Sequence, residues 1–327
     1  MTKSPLIIWC NNHFPEKAPN EHAMLSEAIG EHRLLSFEPT QNGSAGESRQ
    51  ALNEADIAFG SPDPEALMVA AKLRWIHINS AGYTRYDRDD FRRHLLERSI
   101  VLTNSSAVYD EPCAQHLLAM ILSLARQLPV ALGVQRESRT WPMETIRANS
   151  RLLNEQTVLI FGFGAIARRL VELLTPLRMN LIGVRREVKG DESVRVISES
   201  EADDFLPFAD HLVNILPDNE STKQFVNTER LKRTKRGAYF YNIGRGSTVD
   251  QDALLESLRS GHLAAAYLDV TDPEPLPFRH PLWRAPSCFI TPHTAGGHAN
   301  EKERQVRHFL DNLRRFVNGE NLINRIM

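Results

Sequence analysis

The chain has 327 residues, 42% of them hydrophobic and 24% charged, with a formal net charge of −2. This is the balance of a globular protein long enough for about two domains with buried cores, and its near-neutral charge removes the electrostatic case for nucleic acid or an anionic membrane as partner. Cys10, Cys113 and Cys288 are odd in number and far apart without metal-ligand spacing, the opening MTKSPLIIWC holds too short an apolar run for a signal peptide, and no apolar segment reaches spanning length; a cytoplasmic protein is expected.

Over the first hundred residues strand-like and helix-like stretches alternate. Pro5–Cys10 reads as a strand, and Asn20–Ile29 as a helix with Asn20 as its N-cap and Gly30 as its stop. Ala55–Phe59 is an apolar strand run, Pro64–Leu73 is helical in period, and Trp75–Ile78 is a strand again. The alternation predicts a parallel α/β sheet, so Asn79–Asp87 leaves it at the carboxyl end of a strand, where open sheets place ligands. Next comes a long helix, Asp110–Leu128, with Asp110 as N-cap and Pro112 in its first turn. Ala114, Leu117, Leu118, Ile121, Leu122 and Ala125 form its apolar stripe, and Pro129 follows its end. It lies between two α/β blocks and is placed to cross between domains. His116 on this helix reads as structural, and nothing is drawn from Gln115 beside it. Trp141 fits a dimer interface or a core equally well.

TVLIFGFGAIARRL, residues 157–170, carries strand–glycine turn–helix grammar. Gly162 permits a tight turn, Gly164 lets a pyrophosphate approach the backbone, and the amphipathic run from Ala165 offers free N–H groups and a favourable dipole to the anion. Ala167 is the small residue for close helix–strand packing. Alone, this is equally the turn of an ordinary α/β domain; the strand ends behind it decide. Further strands are predicted over Leu181–Val184, His211–Leu216, Ala238–Ile243, Ala264–Val270 and Cys288–Thr291. Asp250 caps a helix over Gln251–Leu258, and a charged amphipathic helix, Ala299–Val317, stops at Gly319.

Three of these strands end in chemistry: NIGRGSTVD offers Arg245, LDVTDPEPLP offers Asp269 and Glu274, and TPHTAGG offers His293. An arginine, a carboxylate and a histidine downstream of a dinucleotide loop suit hydride transfer to a 2-keto acid. The arginine clamps a carboxylate and polarises the carbonyl, the histidine donates the accompanying proton, and the carboxylate orients the imidazole and favours its protonated form. Each has a plainer reading as well: a surface arginine, a solvated loop carboxylate between prolines, a structural histidine.

The series GFGAIA, ILP, NIGRGSTVD, LDVTDPEPLP and TPHTAGG, in that order and spacing, resembles the D-isomer-specific 2-hydroxyacid dehydrogenase family over nearly the whole chain, most closely from Val101 to Gly297. The resemblance implies an α/β fold of two doubly wound lobes. A Rossmann cofactor domain, residues 104–295, is inserted into a flavodoxin-like substrate domain, residues 1–103 and 296–327, to which the last helix returns. By the same resemblance, Arg245, Glu274 and His293 are the catalytic positions, and Asn79, Ser80, Ala81 and Gly82 form the loop whose amides hold the substrate carboxylate. Asp269 matches the residue that contacts the nicotinamide carboxamide, and Gly162, Gly164, Ala165, Ile166, Leu216, Pro217, Thr222, Ile243, Gly244 and Gly296 fall at cofactor positions. The family is usually dimeric through its cofactor lobes, so a homodimer is expected.

The implied activity is reduction of a small 2-keto acid of the glyoxylate or hydroxypyruvate type to the D-2-hydroxy acid, with a bulkier 2-hydroxy acid as the alternative. Formate dehydrogenases of this group carry glutamine as the histidine's partner, and Glu274 argues against that reaction. Dinucleotide-sensing co-repressors resembling the family keep the Arg–Glu–His set, so the triad does not separate them. Cofactor choice turns on the end of the strand Leu181–Val184. There Arg185 and Arg186 precede Glu187, and paired guanidiniums suit a 2′-phosphate that a carboxylate would repel. NADP(H) is therefore preferred, with NAD(H) possible. Substrate side-chain selectivity should lie around Asn11–His13, Gly60–Pro62 and Tyr83–Tyr86, where the resemblance is thinnest; His13 either sits at the mouth of the cleft or plays no part there, and Tyr83 and Tyr86 narrow the pocket, bind a hydroxyl or face away.

Overall fold

Short apolar runs become inner strands buried on both faces, the pattern of parallel sheets covered by helices, while the edge strands are only partly buried. The computed structural model describes residues 4–12, 17–37, 45–188, 190 and 192–327, and His13 lies outside them. By internal contacts the chain divides into two units, Met1–Tyr109 with His298–Met327, and Asp110–Gly297. The expected divisions stood at 103/104 and 295/296.

The first unit holds β1 (Ile7–Cys10), β2 (Arg33–Ser36), β3 (Ile57–Gly60), β4 (Trp75–Ile78) and β5 (Val101–Thr103) in one parallel sheet of order β2-β1-β3-β4-β5. This is the flavodoxin-like order. Trp9, Leu67, Ile76 and Phe91 pack on one face. On the other, the final helix Glu301–Asn318 shares a core with helix Pro19–Ala28. Phe309 stacks on Phe59 at 4.1 Å and on Trp75 at 5.2 Å between ring centroids. Truncating so buried an aromatic costs about 3–5 kcal/mol. Gly319, at φ 72°, ends that helix as its sequence position predicts.

The second unit holds β6 (Thr157–Phe161), β7 (Asn180–Arg185), β8 (Arg195–Ser198), β9 (His211–Asn214), β10 (Ala238–Asn242), β11 (Leu263–Leu268) and β12 (Cys288–Ile290). All pair parallel in the order β12-β11-β10-β9-β6-β7-β8. Strand order reverses at β6 and β9, and the carboxyl ends of those two strands frame the position where doubly wound sheets bind ligands. The α/β class with two doubly wound sheets is thus the one the sequence predicts.

Several local expectations are corrected. Asn20 is not a cap: the helix starts at Pro19, whose fixed φ suits a first position, and no side chain caps it. The long helix runs over Ser106–Ala125, so Asp110 is not its N-cap and Pro112 lies inside it. Its start is set by side chains remote in sequence or outside the apolar pattern. Asn104 Oδ1 accepts from Ser106 N at 3.2 Å, and Asn324 Oδ1 accepts from Ala107 N at 3.1 Å. It ends before Leu128 because Gln127 is left-handed, at φ 56°, and a new helix Leu128–Arg136 begins with Pro129 in its first turn. The helix from Pro64 stops at Val69 rather than Leu73. Trp141 is 89% exposed, which removes the core reading.

Candidate active site

β6 delivers the glycine turn. Gly162 is at φ 91°, and a Cβ there would fall 3.1 Å from Ile215 O, so both the turn and the close approach of the β9 loop need glycine. Gly164 differs: it has no positive φ, and a Cβ there would meet nothing of the protein within 4 Å. It precedes helix Ala165–Leu174, whose N-terminus no side chain caps. By contrast, Asp250 caps Gln251–Arg259 by accepting from Ala253 N. An uncapped helix start behind an open glycine leaves first-turn amides for an anion, and these residues fit a dinucleotide pyrophosphate. Ala167 is fully buried, as close helix–strand packing requires, and Ala165 and Ile166 are half-buried. Leu216 is buried; Thr222 Oγ1 donates to Pro217 O at 2.6 Å and closes the turn after β9. Gly244 lies against that turn, since its Cβ would fall 2.5 Å from Leu216 O.

β10 leads through Ile243 and Gly244 to Arg245. Asn242 Oδ1 accepts from Gly244 N at 3.0 Å, and Asn242 Nδ2 donates to Arg245 O at 3.2 Å, which fixes the backbone on both sides of Gly244. Arg245 is half-buried and, among the described residues, makes no ion pair; its Nη1 donates only to Gly244 O at 2.7 Å. A Cβ on Gly246 would fall 2.0 Å from the Thr271 carbonyl carbon, so the Arg245 turn sits directly on the turn after β11. There Thr271 N donates to Glu274 Oε1 at 3.1 Å, and Glu274 Oε2 accepts from His293 Nδ1 at 2.9 Å. No hydrogen bond among the described residues engages His293 Nε2. His293 is itself at φ 52°, a left-handed conformation that costs a non-glycine residue free energy and persists where its surroundings impose it.

Asp269 imposes it. Its carbonyl accepts from His293 N at 2.9 Å, and its buried carboxylate accepts from Thr294 N and Ala295 N, each at 2.9 Å, and from Thr291 Oγ1 at 2.5 Å. Gly296 follows directly on this turn. Thr291 is also joined to the Tyr267 hydroxyl, and Tyr267 to His116 Nε2. Burial pushes the Tyr267 phenol well above its usual range and lowers the His116 pKa, with Asp269 opposing the latter. Cys113, one turn before His116, is pushed up to about 12 by burial and by the Asp269 charge. No group of three His, Cys, Asp or Glu side chains among the described residues is placed to hold a metal.

In the first unit the segment Asn79–Gly82 leaves β4 with every carbonyl engaged. Asn79 O accepts from Tyr109 Oη at 3.0 Å and Gln305 Nε2 at 3.3 Å, Ser80 O from Ser105 N at 3.0 Å, Ala81 O from Asn104 Nδ2 at 2.7 Å, and Gly82 O from Ser80 Oγ at 2.6 Å. Asn79 N donates to Gly60 O at 2.9 Å, whereas the amides of Ser80, Ala81 and Gly82 engage nothing among the described residues. Carbonyls tied back and amides left over are the backbone arrangement that an anion fits. Tyr86 faces away, buried, with its hydroxyl donating to Pro62 O at 2.8 Å; Tyr83 is half-buried. Asn11 Oδ1 accepts from Ser61 N at 2.7 Å.

Arg185 and Arg186 separate. Arg185 Nη1 lies 3.1 Å from Glu192 Oε1, whose side chain is only 3% exposed, so its charge is compensated. Arg186 is exposed and donates to Ser221 Oγ at 2.8 Å. Sequence reading missed Glu192, Ser221, Tyr267, Thr291 and the residues that tie back the Asn79–Gly82 carbonyls. Asn104 and Ser105 had a usable signal, because they follow the carboxyl end of a strand; the others had none.

Residues 118–295 match the family "D-isomer specific 2-hydroxyacid dehydrogenase, NAD binding domain". The chain is 30% identical to a glyoxylate/hydroxypyruvate reductase B of Yersinia enterocolitica over 316 residues, 92% of this chain and 94% of that one. It is 30% identical to a glyoxylate reductase of Aeropyrum pernix over 80% of each chain. A D-isomer specific 2-hydroxyacid dehydrogenase of Xanthobacter autotrophicus, solved with NADPH and MES, superposes with a TM-score of 0.81 at 25% identity, covering 99% of this chain and 98% of that one.

Proposed function

The chain belongs to the D-isomer specific 2-hydroxyacid dehydrogenase family, NAD(P)-dependent oxidoreductases of small 2-hydroxy and 2-keto acids, and from that premise we propose that it reduces a glyoxylate- or hydroxypyruvate-type acid to the D-2-hydroxy acid, preferring NADPH. The observation that carries the reading is the 2.9 Å contact between Glu274 Oε2 and His293 Nδ1. It leaves Nε2 as the nitrogen that gives up a proton. The Glu274 carboxylate accepts from Nδ1–H and so holds the ring in one orientation before and after the transfer. Arg245, without an ionic partner among the described residues, is assigned to the substrate carboxylate and carbonyl, and the amides of Ser80, Ala81 and Gly82 to the carboxylate. The dinucleotide, when bound, supplies the hydride. The first-turn amides of helix Ala165–Leu174 are assigned to its pyrophosphate, with Ile243, Gly244, Leu216, Pro217, Thr222 and Gly296 around it and Asp269 toward the carboxamide. For the 2′-phosphate the weight moves from Arg185 to Arg186 and Ser221, because Glu192 compensates Arg185.

A homodimer is part of the proposal. Leu128 is 48% exposed and Leu132 52%, four positions apart on one helix and so on one face, with Trp141 at 89% in the segment after it, exposed apolar side chains that a second copy would cover. The three cysteines, odd in number and far apart in the sequence, support a cytoplasmic setting.

The test is the rate of NADPH and NADH oxidation with glyoxylate, hydroxypyruvate, pyruvate and phenylpyruvate. Turnover should be fastest with the first two, and His293→Ala should lower kcat by about 10²-fold or more. No turnover with any acid would favour a dinucleotide-sensing binding protein instead. An NADPH to NADH ratio in kcat/KM at or below one would overturn the cofactor preference. Arg186→Asp should shift that ratio toward NADH by about tenfold or more, and Arg185→Asp by less.

A further inference from the structure

The hydrogen bonds behind Asp269 run in a fixed direction. An ionised carboxylate only accepts, so Thr291 Oγ1, 2.5 Å from Asp269 Oδ1, must donate to it. Thr291 has one hydroxyl proton, so its contact with Tyr267 is made by the Tyr267 O–H donating. Tyr267 has then used its own proton, and its contact with His116 requires an N–H on His116 Nε2. The raised Tyr267 phenol keeps its proton and the lowered His116 is neutral, so every donor in the series is uncharged. It ends on the carboxylate whose residue holds His293 N, Thr294 N and Ala295 N.

We propose that Tyr267 and His116 are positioning residues for proton transfer: through Thr291 they lock the Asp269 carboxylate, and Asp269 keeps His293 in its left-handed conformation against Glu274. This rests on the reading of His293 as proton donor. Neither residue needs to touch the substrate, and the signature is therefore a loss in kcat without a change in KM. Tyr267→Phe removes the link at nearly constant volume. His116→Leu removes the terminal donor, while His116→Gln keeps an N–H of similar reach. Packing alone would rank leucine at least level with glutamine; the donor sequence ranks glutamine well above it.

The experiment measures kcat and KM for the best 2-keto acid with these three variants, alongside wild type and His293→Ala. Tyr267→Phe and His116→Leu should each lower kcat by about tenfold with KM unchanged, the scale of one lost positioning hydrogen bond, and His116→Gln should stay within about twofold of wild type. Wild-type kcat in Tyr267→Phe, or His116→Leu as active as His116→Gln, overturns the proposal. A second measurement needs neither turnover nor a variant. In the cofactor-free full chain, 15N spectra of labelled histidine should show His116 as the neutral Nε2–H tautomer, and an Nδ1–H tautomer overturns the proposal. A wild type that reduces no 2-keto acid sinks the reaction assignment and this proposal with it, whereas an Nδ1–H tautomer or unchanged variants in an active wild type sink this proposal alone.

Discussion

The two units prepare their strand ends in opposite ways. After β4 the chain presents backbone: four carbonyls of Asn79–Gly82 are tied back, and three amides are left over. After β10, β11 and β12 it presents side chains, Arg245, Glu274 and His293, on turns braced by Asn242, Gly246 and Asp269. The first arrangement offers hydrogen bonds and no titratable group, which suits holding an anion. The second offers charge and a transferable proton, which suits chemistry. The glycine turn after β6 belongs with the first kind although it lies in the second unit, because an uncapped helix start is also a backbone site.

Acid should have the largest effect, and it reaches both units. Each sheet buries one histidine completely, His77 on β4 and His211 on β9. His211 Nε2 meets Gln156 Oε1 at 2.6 Å and Nδ1 meets Tyr241 Oη at 3.1 Å, a neutral ring fully partnered. Burial lowers its pKa to about 4, with Asp210 opposing and Lys235 assisting. Because the unfolded chain takes up the proton near the ordinary value of 6.5 and the folded chain does not, stability is complete above that pH. It falls as pH drops toward 4, by about 1.4 kcal/mol per pH unit and about 3 kcal/mol in all. His77 is lowered as well, by burial and by the neighbouring His308, so the first unit has its own acid-sensitive group. Urea midpoints at pH 7 and pH 4.5 measure the effect. His211→Gln, which keeps a donor and an acceptor, should flatten the pH dependence of the second unit only, and equal slopes in wild type and variant would show that His211 is not the group responsible.

Two glycines break the two kinds of site separately. Gly246→Ala forces a Cβ to within 2.0 Å of Thr271 backbone, which cannot swing aside. The turns carrying Arg245 and Glu274 must move apart, and kcat/KM should fall by about 10²-fold along with a lower melting temperature. Gly164→Ala meets nothing of the protein within 4 Å. Its melting temperature should match wild type while the Kd for NADPH rises by about tenfold, since only a ligand pressed against the backbone would object to the methyl group. An unchanged Kd would mean that no pyrophosphate approaches there.

What the sequence made legible follows the same division. Arg245, Glu274 and His293 could be read because strand ends in a doubly wound sheet are where side-chain chemistry is expected, and the glycine turn could be read because φ 91° at Gly162 demands its residue type. From Thr157 on, six of the seven strands were recoverable from apolar runs; β8, the half-buried edge strand Arg195–Ser198, was not. Helix starts fixed by tertiary partners were not: Asn324 caps a helix more than two hundred positions earlier in the chain, and no local pattern announces it. Arg185 shows the same limit. Its charge was visible, but its compensation by Glu192, seven residues on and buried, was not. Backbone cradles are the hardest case, because every residue but proline has an amide; only the atoms that tie back the carbonyls betray them.

Asn104 is where that last point can be tested. Its Nδ2 holds Ala81 O at 2.7 Å and its Oδ1 takes Ser106 N at 3.2 Å, so one side chain both orients the Asn79–Gly82 amides and starts a helix. Asn104→Ala removes both bonds, each worth about 1 kcal/mol net. Losing the helix bond lowers stability whatever the segment does. Losing the Ala81 bond frees one peptide plane to turn, and the anion then meets a cradle that must first be ordered. KM for the 2-keto acid should rise about fivefold with kcat nearly unchanged, the pattern of a group that binds ground state and transition state alike. Asn104→Asp separates the two effects: its carboxylate keeps an acceptor for Ser106 N but has no N–H for Ala81 O, so it should retain the stability and show the same rise in KM. If Asn104→Asp binds substrate as wild type does, the amides of Ser80, Ala81 and Gly82 are not the carboxylate's holder, and the contrast between a backbone site in one unit and a side-chain site in the other fails at its first member.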